Sequence, residues 1–292
     1  MLKLSRETIG PATPVVIMGA GGFVGRATVA RLQGHGNSCI ALTRQEIDLL
    51  APGAAGSLAA RLAPEATLVV VSAQAPVKNP AMLLANLQMM QAVVEAVKSR
   101  PIAHLVYVSS DAVYADSREP LTETSPTRPE SLHGLMHLGR EMILRTELGG
   151  IPQVYIRPTL IYGPGDPHNG YGPNRFMRLA RSGQQIVLFG EGEERRDHVF
   201  IDDVAEIVRR CVLHRATGII NAVSGTVTPF RSVAEMAADR FEPRVEIVCS
   251  PRQGSMPHGG YRAFEGGALP SFFPGFSPMP LSTGLDRIRD QP

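Results

Sequence analysis

The chain carries almost no excess charge: 29 basic residues against 27 acidic ones leave a formal +2, with no strong basic run. That balance gives no electrostatic footprint for nucleic acid or an anionic membrane, and it points to a small partner. Cysteine is equally scarce. Cys39, Cys211 and Cys249 lie far apart with no metal-ligand spacing, and they read as reduced, buried and structural, on a strand, a helix and a strand. No apolar run approaches the length needed to span a bilayer, and the opening MLKLSRETIGPATP lacks the apolar core of a secretion signal. The expected location is the cytoplasm. No internal repeat is evident. What the chain does have is 43% hydrophobic residues over 292 positions, ample for one large core or for a domain plus a lobe.

The most informative stretch is VVIMGAGGFVG, residues 15–25. Four β-prone residues run into glycines at 19, 21, 22 and 25, followed by an amphipathic helix. Gly19 and Gly22 let the chain turn tightly and let backbone N–H groups approach a pyrophosphate, and Gly25 lets the helix pack closely on the sheet. A phosphate would sit on the helix N-terminus, where unpaired N–H groups favour an anion. This is a dinucleotide-binding turn with its context on both sides, and Gly19, Gly21, Gly22, Phe23, Val24 and Gly25 are the candidate cofactor contacts.

Beyond the turn, strands are expected at SCIALT, TLVVVS (67–72), AHLVYVSS (103–110) and QVYIRP, alternating with helices at about 80–99 and 132–148. The alternation argues for a doubly wound, Rossmann-like α/β fold with a parallel sheet. The pattern changes after Tyr162: GPGDPHNGYGPN is a long Gly/Pro loop, followed by a short helix, the strand QIVLF and the polar turn GEGEERRD. HVFIDDVAEIVRRCVL and GIINAVS then return to the main sheet. The expected organisation is a dinucleotide-binding domain at 1–162, completed by about 195–225, and a smaller discontinuous substrate-binding lobe at 163–194 plus 226–292.

GAGGFVG, LVYVSSDAVYAD, YIRPTLIYGPGD and RRDHVFIDDVAE, in that order and spacing, resemble the extended short-chain dehydrogenase/reductases, the NAD-dependent epimerase/dehydratases of nucleotide sugars, over nearly the whole chain. The resemblance implies a nucleotide-sugar substrate, a nicotinamide cofactor, a homodimer, cofactor contacts at Ser72, Ala73 and Pro158, and Ser110 as the holder of the reacting oxygen. It also implies a Tyr and a Lys, four residues apart on the next helix. Here those positions are His133 and His137. A phenol, with a reference pKa near ~10, needs a lysine to act as a base at neutral pH, whereas an imidazole near ~6.5 needs none. Replacing both together is consistent with a reworked acid/base pair and equally with loss of catalysis. His133, His137 and Glu141 share one helix face, but three ligands on one straight helix spread too far to surround an ion, and no metal is expected. Asp111 follows Ser110, and Ala112 stands where a dehydratase carries its base. This tilts the expectation to epimerisation or keto reduction, with a non-catalytic nucleotide-binding protein as the alternative. His104 opens a strand and reads as structural.

About ~20 residues past the glycine motif, where an NAD enzyme places an acid for the ribose, the chain has Thr43 and Arg44. A guanidinium can pair with a 2′-phosphate, which favours NADP over NAD. By the resemblance Asp48 contacts the adenine edge, and Asn174 and Arg196 lie where the diphosphate binds, with Arg175 or Arg195 sharing the task. The helix at 81–98 carries a wider apolar face than one sheet requires, which fits a two-fold dimer.

Overall fold

The computed structural model describes residues 2–5, 14–266 and 268–291. Residues 1 and 6–13 of the opening segment, read above for a secretion signal, lie outside that range. In chain order the elements are β1 (Val15–Met18), α1 (Phe23–Gly34), β2 (Cys39–Leu42), α2 (Ala54–Ala59), β3 (Thr67–Val70), α3 (Pro80–Ser99), β4 (His104–Val108), α4 (Leu132–Glu147), β5 (Gln153–Pro158), β6 (Leu160–Tyr162), α5 (Pro173–Arg181), β7 (Ile186–Phe189), β8 (Arg195–Phe200), α6 (Ile201–Leu213), β9 (Gly218–Ala222), β10 (Val227–Pro229), α7 (Phe230–Ala238), β11 (Ile247–Ser250), β12 (Tyr261–Arg262), α8 (Ala268–Phe272) and α9 (Leu281–Asp290).

The chain divides into two compact units. The first comprises residues 1–115, 123–158 and 204–222. Its sheet runs β2-β1-β3-β4-β5-β9 with every pairing parallel, the doubly wound arrangement expected. β1, β3, β4 and β5 are buried along their whole length, because helices cover both faces and a parallel strand then needs continuous rather than alternating apolar residues. Helices α3 and α4 start at side-chain caps. Asn79 accepts a hydrogen bond from the Met82 N–H (2.9 Å) ahead of Pro80 at the first position of α3, and Ser131 accepts one from the Gly134 N–H (3.1 Å) at the start of α4. His104 is buried on β4 and donates from Nε2 to the Ala216 carbonyl (2.7 Å), a structural role.

The second unit comprises residues 116–122, 159–203 and 223–292. It holds β10-β8-β12, with β6 on β8, and a two-stranded β7–β11 pair. The unit boundaries differ from those expected: residues 159–162 and 195–203 belong here, because β8 pairs with β6, β10 and β12 rather than with the main sheet. The cysteines also need correction. Cys211 is buried, but Cys39 is only half-buried and Cys249 is exposed, since β11 has β7 as its one ladder neighbour and that pair is covered on one side.

Candidate active site

The strand order of the first unit's sheet reverses at β1, with β2 on one side and β3 on the other, the place where a doubly wound sheet leaves a crevice. A cleft of about 500 Å³ occupies that place, lined by Gly19, Gly21, Gly22, Thr43, Arg44, Asp48, Ser72 and Ala73 among others. Two of the glycines are sterically required. Gly19 has φ +96°, and a Cβ on it would lie 2.6 Å from the Ser72 nitrogen. A Cβ on Gly25 would meet the Gly19 carbonyl oxygen at 2.1 Å, so the first turn of α1, with Phe23 and Val24, sits directly on the loop. Gly21 and Gly22 would tolerate a Cβ by contact with their neighbours (3.4 Å or more); their value is the open backbone they present. Ser72 is buried and its hydroxyl has no hydrogen-bond partner among the described residues, the condition of a group awaiting a ligand. A glycine cradle that side chains would fill, a helix N-terminus and an orphaned hydroxyl together fit a dinucleotide. Asn86 on α3, which sequence reading missed, fixes the loop after β3: it accepts from the Gln74 N–H and donates to the Gln74 carbonyl, each at 3.0 Å.

At the end of β2, Arg44 Nε and Nη2 donate to Asp48 Oδ2 at 3.2 and 3.1 Å, with both side chains solvent-accessible. The Leu50 N–H, then Arg44, hold the Asp48 carboxyl below its usual range. Thr43 is held by Glu46, which accepts from its N–H (2.8 Å) and its hydroxyl. Pro158 closes β5.

The chemistry-bearing residues follow β4. Ser110 caps a 3-10 turn at Asp111–Val113: its Oγ accepts from the Ala112 N–H (3.1 Å) and lies 3.4 Å from Asp111 Oδ1. Both Ser110 and Asp111 are buried. Helix α4 is pressed on this turn at Gly134, where a Cβ would stand 2.0 Å from the Ala112 carbonyl oxygen. A glycine in the first turn of a helix is a cost in propensity unless something approaches closely, and that cost is the sequence signal for this contact. The structure therefore brings the Ser110 turn and the His133 end of α4 together.

His133 is half-buried and His137 is 5% exposed; their rings meet edge-on with centroids 4.8 Å apart. His137 Nδ1 lies 2.8 Å from the Tyr107 hydroxyl of β4. Burial, then the neighbouring His133 and Arg140, hold the His137 imidazole well below its ordinary range, so it is neutral. Burial pushes the Tyr107 phenol up to about 12, so it keeps its proton. Arg140 is fully buried on the same helix with its Cζ 5.3 Å from the Tyr107 ring centroid. Glu141 is not available to a metal: its carboxylate takes Ser109 Oγ (2.6 Å), Arg157 Nε and Nη2 (2.9 and 2.6 Å) and Arg145 Nη2 (2.7 Å). This buried network ties α4 to β4 and β5 beneath the Ser110 turn. None of Tyr107, Arg140 and Arg157 is singled out by the sequence, because their meeting depends on how α4 crosses the sheet.

In the second unit, Asn174 is buried and staples the Gly163 backbone, accepting from its N–H (3.0 Å) and donating to its carbonyl (2.6 Å). Arg175 is half-buried on α5. Arg196 is half-buried on β8, opposite Thr228 of β10, and Arg195 lies over the Tyr261 ring (4.8 Å). Asp197, fully buried beside them, accepts from the N–H groups of Ser224 (2.9 Å) and Gly225 (2.7 Å).

With this geometry in hand, residues 15–222 match the model of the NAD dependent epimerase/dehydratase family. The chain belongs to that family. Among curated relatives it is 29% identical over 171 residues to a putative UDP-glucose 4-epimerase of Methanocaldococcus jannaschii, covering 56% of each protein. It spans between 18% and 56% of the length of seven curated relatives that it matches. Among solved structures it superposes on a UDP-N-acetylglucosamine 4-epimerase from Bacillus cereus (TM-score 0.80, 21% identity, 95% of both chains) and on a GDP-L-fucose synthetase from Naegleria fowleri bound to NADP (TM-score 0.85, 15% identity, 99% of this chain and 95% of that one). At these identities the likeness is one of fold. Among the described residues no helix is long and apolar enough to cross a membrane.

Proposed function

We propose that the chain is an NADP-dependent epimerase or ketoreductase of a nucleotide-linked sugar. The observation that carries this reading is the contact of Gly134 with the Ala112 carbonyl, which packs the first turn of the helix that carries His133 on the turn that Ser110 caps, in the unit whose crevice fits a dinucleotide. Ser110 would hold the reacting oxygen and His133 would take and return its proton; Asp111 shapes the turn that aims Ser110. The nicotinamide, when bound, supplies the hydride acceptor and donor for a ring carbon. His137 faces inward to Tyr107, so its part is to orient His133 rather than to reach a ribose. Arg196, with Arg175 or Arg195, would meet the diphosphate. Arg44, oriented by Asp48, favours the 2′-phosphate of NADP, and the NADP-bound structural neighbour is in keeping with this. The exposed Leu84, Leu135 and Met142 on α3 and α4 suit a homodimer through those helices, and the place of action is the cytoplasm.

The test is to incubate purified protein with NADPH or NADP and a panel of nucleotide sugars, following nicotinamide absorbance and product composition. Turnover by the wild type is expected, abolished by His133→Ala with cofactor affinity nearly unchanged. Cofactor binding with no conversion of any nucleotide sugar would instead make this a non-catalytic nucleotide-binding protein.

A further inference from the structure

Two histidines side by side have the same chemistry unless something distinguishes them. Here the distinction is built into β4. The Tyr107 hydroxyl and His137 Nδ1 are 2.8 Å apart inside the first unit, and the direction of that hydrogen bond follows from what surrounds the hydroxyl. The other polar side chain against Tyr107 is Arg140, whose guanidinium lies over the ring. A guanidinium has five donors and no acceptor, so it cannot receive the phenolic proton. His137 Nδ1 is the acceptor that this hydroxyl meets, and the phenol therefore donates to it. Nδ1 is then an acceptor, and the ring proton of a neutral His137 resides on Nε2.

We infer that Tyr107 is a positioning residue for the reaction: by donating to Nδ1 it locks His137 as the Nε2–H tautomer, an uncharged donor beside His133, and leaves His133 as the one proton acceptor of the pair. The inference rests on the reading of His133 as the proton-transfer group. The groups packed around His137 agree with a neutral ring. On α4 they are His133, with centroids 4.8 Å apart, and the buried Arg140; on β4 there is Tyr107, and behind it Tyr155 of β5 at 6.4 Å. Glu141, one turn further along α4, is paired with Arg157 and Arg145. The charges that act on His137 itself, those of His133 and Arg140, both oppose an imidazolium at this position.

The test reads the tautomer directly. Protein labelled with ¹⁵N in histidine is examined by long-range ¹H–¹⁵N correlation, with His137 assigned by comparison with His137→Gln. The expected wild-type signature is a protonated Nε2 and an unprotonated, hydrogen-bonded Nδ1 that persists on acidification through the ordinary imidazole range near ~6.5. In Tyr107→Phe the Nδ1 resonance should shift as its donor is lost and the two tautomers should mix, with kcat falling about 10-fold and KM little changed, the loss of one buried hydrogen bond. His137→Gln retains an amide oxygen for Tyr107 and an N–H to donate, and should keep more activity than His137→Leu. A wild-type His137 protonated on Nδ1 overturns the inference whatever the variants do, as does an unchanged His137 spectrum in folded Tyr107→Phe. The spectrum does not need substrate. A protein that shows the expected tautomer but converts nothing would refute the catalytic reading alone, whereas turnover with the wrong tautomer would refute only the role of Tyr107.

Discussion

Exchanging Gly134 for alanine should destabilise the protein, although the same change on an open helix surface stabilises it. Alanine gains at most about 1 kcal/mol over glycine in helix propensity. Against this, the new methyl would lie 2.0 Å from the Ala112 carbonyl oxygen, 2.8 Å from the Ala112 carbonyl carbon and 2.8 Å from Pro129 Cβ. Helix and turn must separate by about 1 Å to accept it. The obstacle is backbone rather than the tip of a flexible side chain, so the cost sits at or above the top of the overpacking range, about 3 kcal/mol, and the net loss is about 2 kcal/mol. Gly139 on the same helix supplies the control. Its Cβ would meet Leu87 Cδ2 at 3.3 Å, an atom that can move aside by a few tenths of an ångström, so Gly139→Ala should be neutral or up to about 1 kcal/mol stabilising. Urea titration by circular dichroism at constant slope measures both. The activity of Gly134→Ala should also fall by about 100-fold, since a shift of that size between Ser110 and His133 spoils their alignment. If Gly134→Ala proves as stable as wild type, the close packing of α4 on the Ser110 turn is wrong, and with it the argument that brings the two residues together.

Arg44→Ala should weaken NADPH binding while leaving NADH nearly unaffected, measured by titrating cofactor fluorescence; equal wild-type affinities for the two cofactors would remove the case for a 2′-phosphate reader. Leu84→Glu combined with Met142→Glu should turn a dimer into a monomer in light scattering, because both side chains are more than half exposed on adjoining helices. His198 is buried between Tyr162 and Phe230, and burial pulls its pKa from 6.5 down to about 3; the unfolded chain then binds a proton that the fold refuses, so its contribution to stability, full above pH 6.5, is lost as pH falls toward 3. Relative to wild type, His198→Phe should gain about 1.4 kcal/mol per pH unit below 6.5, seen as urea midpoints that diverge between pH 7 and pH 4.5. Arg140→Met should raise stability by about 1–4 kcal/mol, since the guanidinium is fully buried with Nε and Nη2 lacking partners among the described residues; a destabilised Arg140→Met would show that the charge is compensated after all.

Local signals made the first unit readable. The bounds of α3 follow from Asn79 and Pro80 at one end, and the strands from unbroken apolar runs, which only a sheet covered on both faces demands. The glycine turn was legible because its stereochemistry is local: Gly19 and Gly25 act on the loop they belong to. The placement of β8 was not. RRDHVF has the look of any buried strand, and whether it joins β9 or β6 is decided by a crossover that periodicity does not encode. The exposure of Cys249 was hidden for the same reason, since a residue on a two-stranded ribbon reads like one in a full sheet. At the site, His133, His137 and Ser110 could be named, but Tyr107, Arg140 and Arg157 could not. They belong to β4, α4 and β5, and only the crossing of α4 over the sheet makes one environment of them.

That environment constrains the path of the proton. His133, His137 and Tyr107 follow one another from the half-buried start of α4 into the core, an order that resembles a relay. A relay, however, needs each member to accept charge and the last to release it. His137 cannot take a proton without forming an imidazolium next to the buried Arg140, and the Tyr107 phenol, raised to about 12 and closed off from solvent, has nowhere to pass one. The line is a dead end. On the proposed reading, a proton that reaches His133 leaves from His133, either back to the oxygen it came from or out to solvent from the half-buried side of the ring. Return to the same oxygen is what an epimerase requires, with no net exchange in a full cycle; net reduction must draw a proton from water at each turnover through that one residue. Proton uptake, followed with an indicator dye in weakly buffered solution, should therefore be absent for an epimerase and equal to one proton per NADPH oxidised for a ketoreductase, which separates the two reactions by their proton balance.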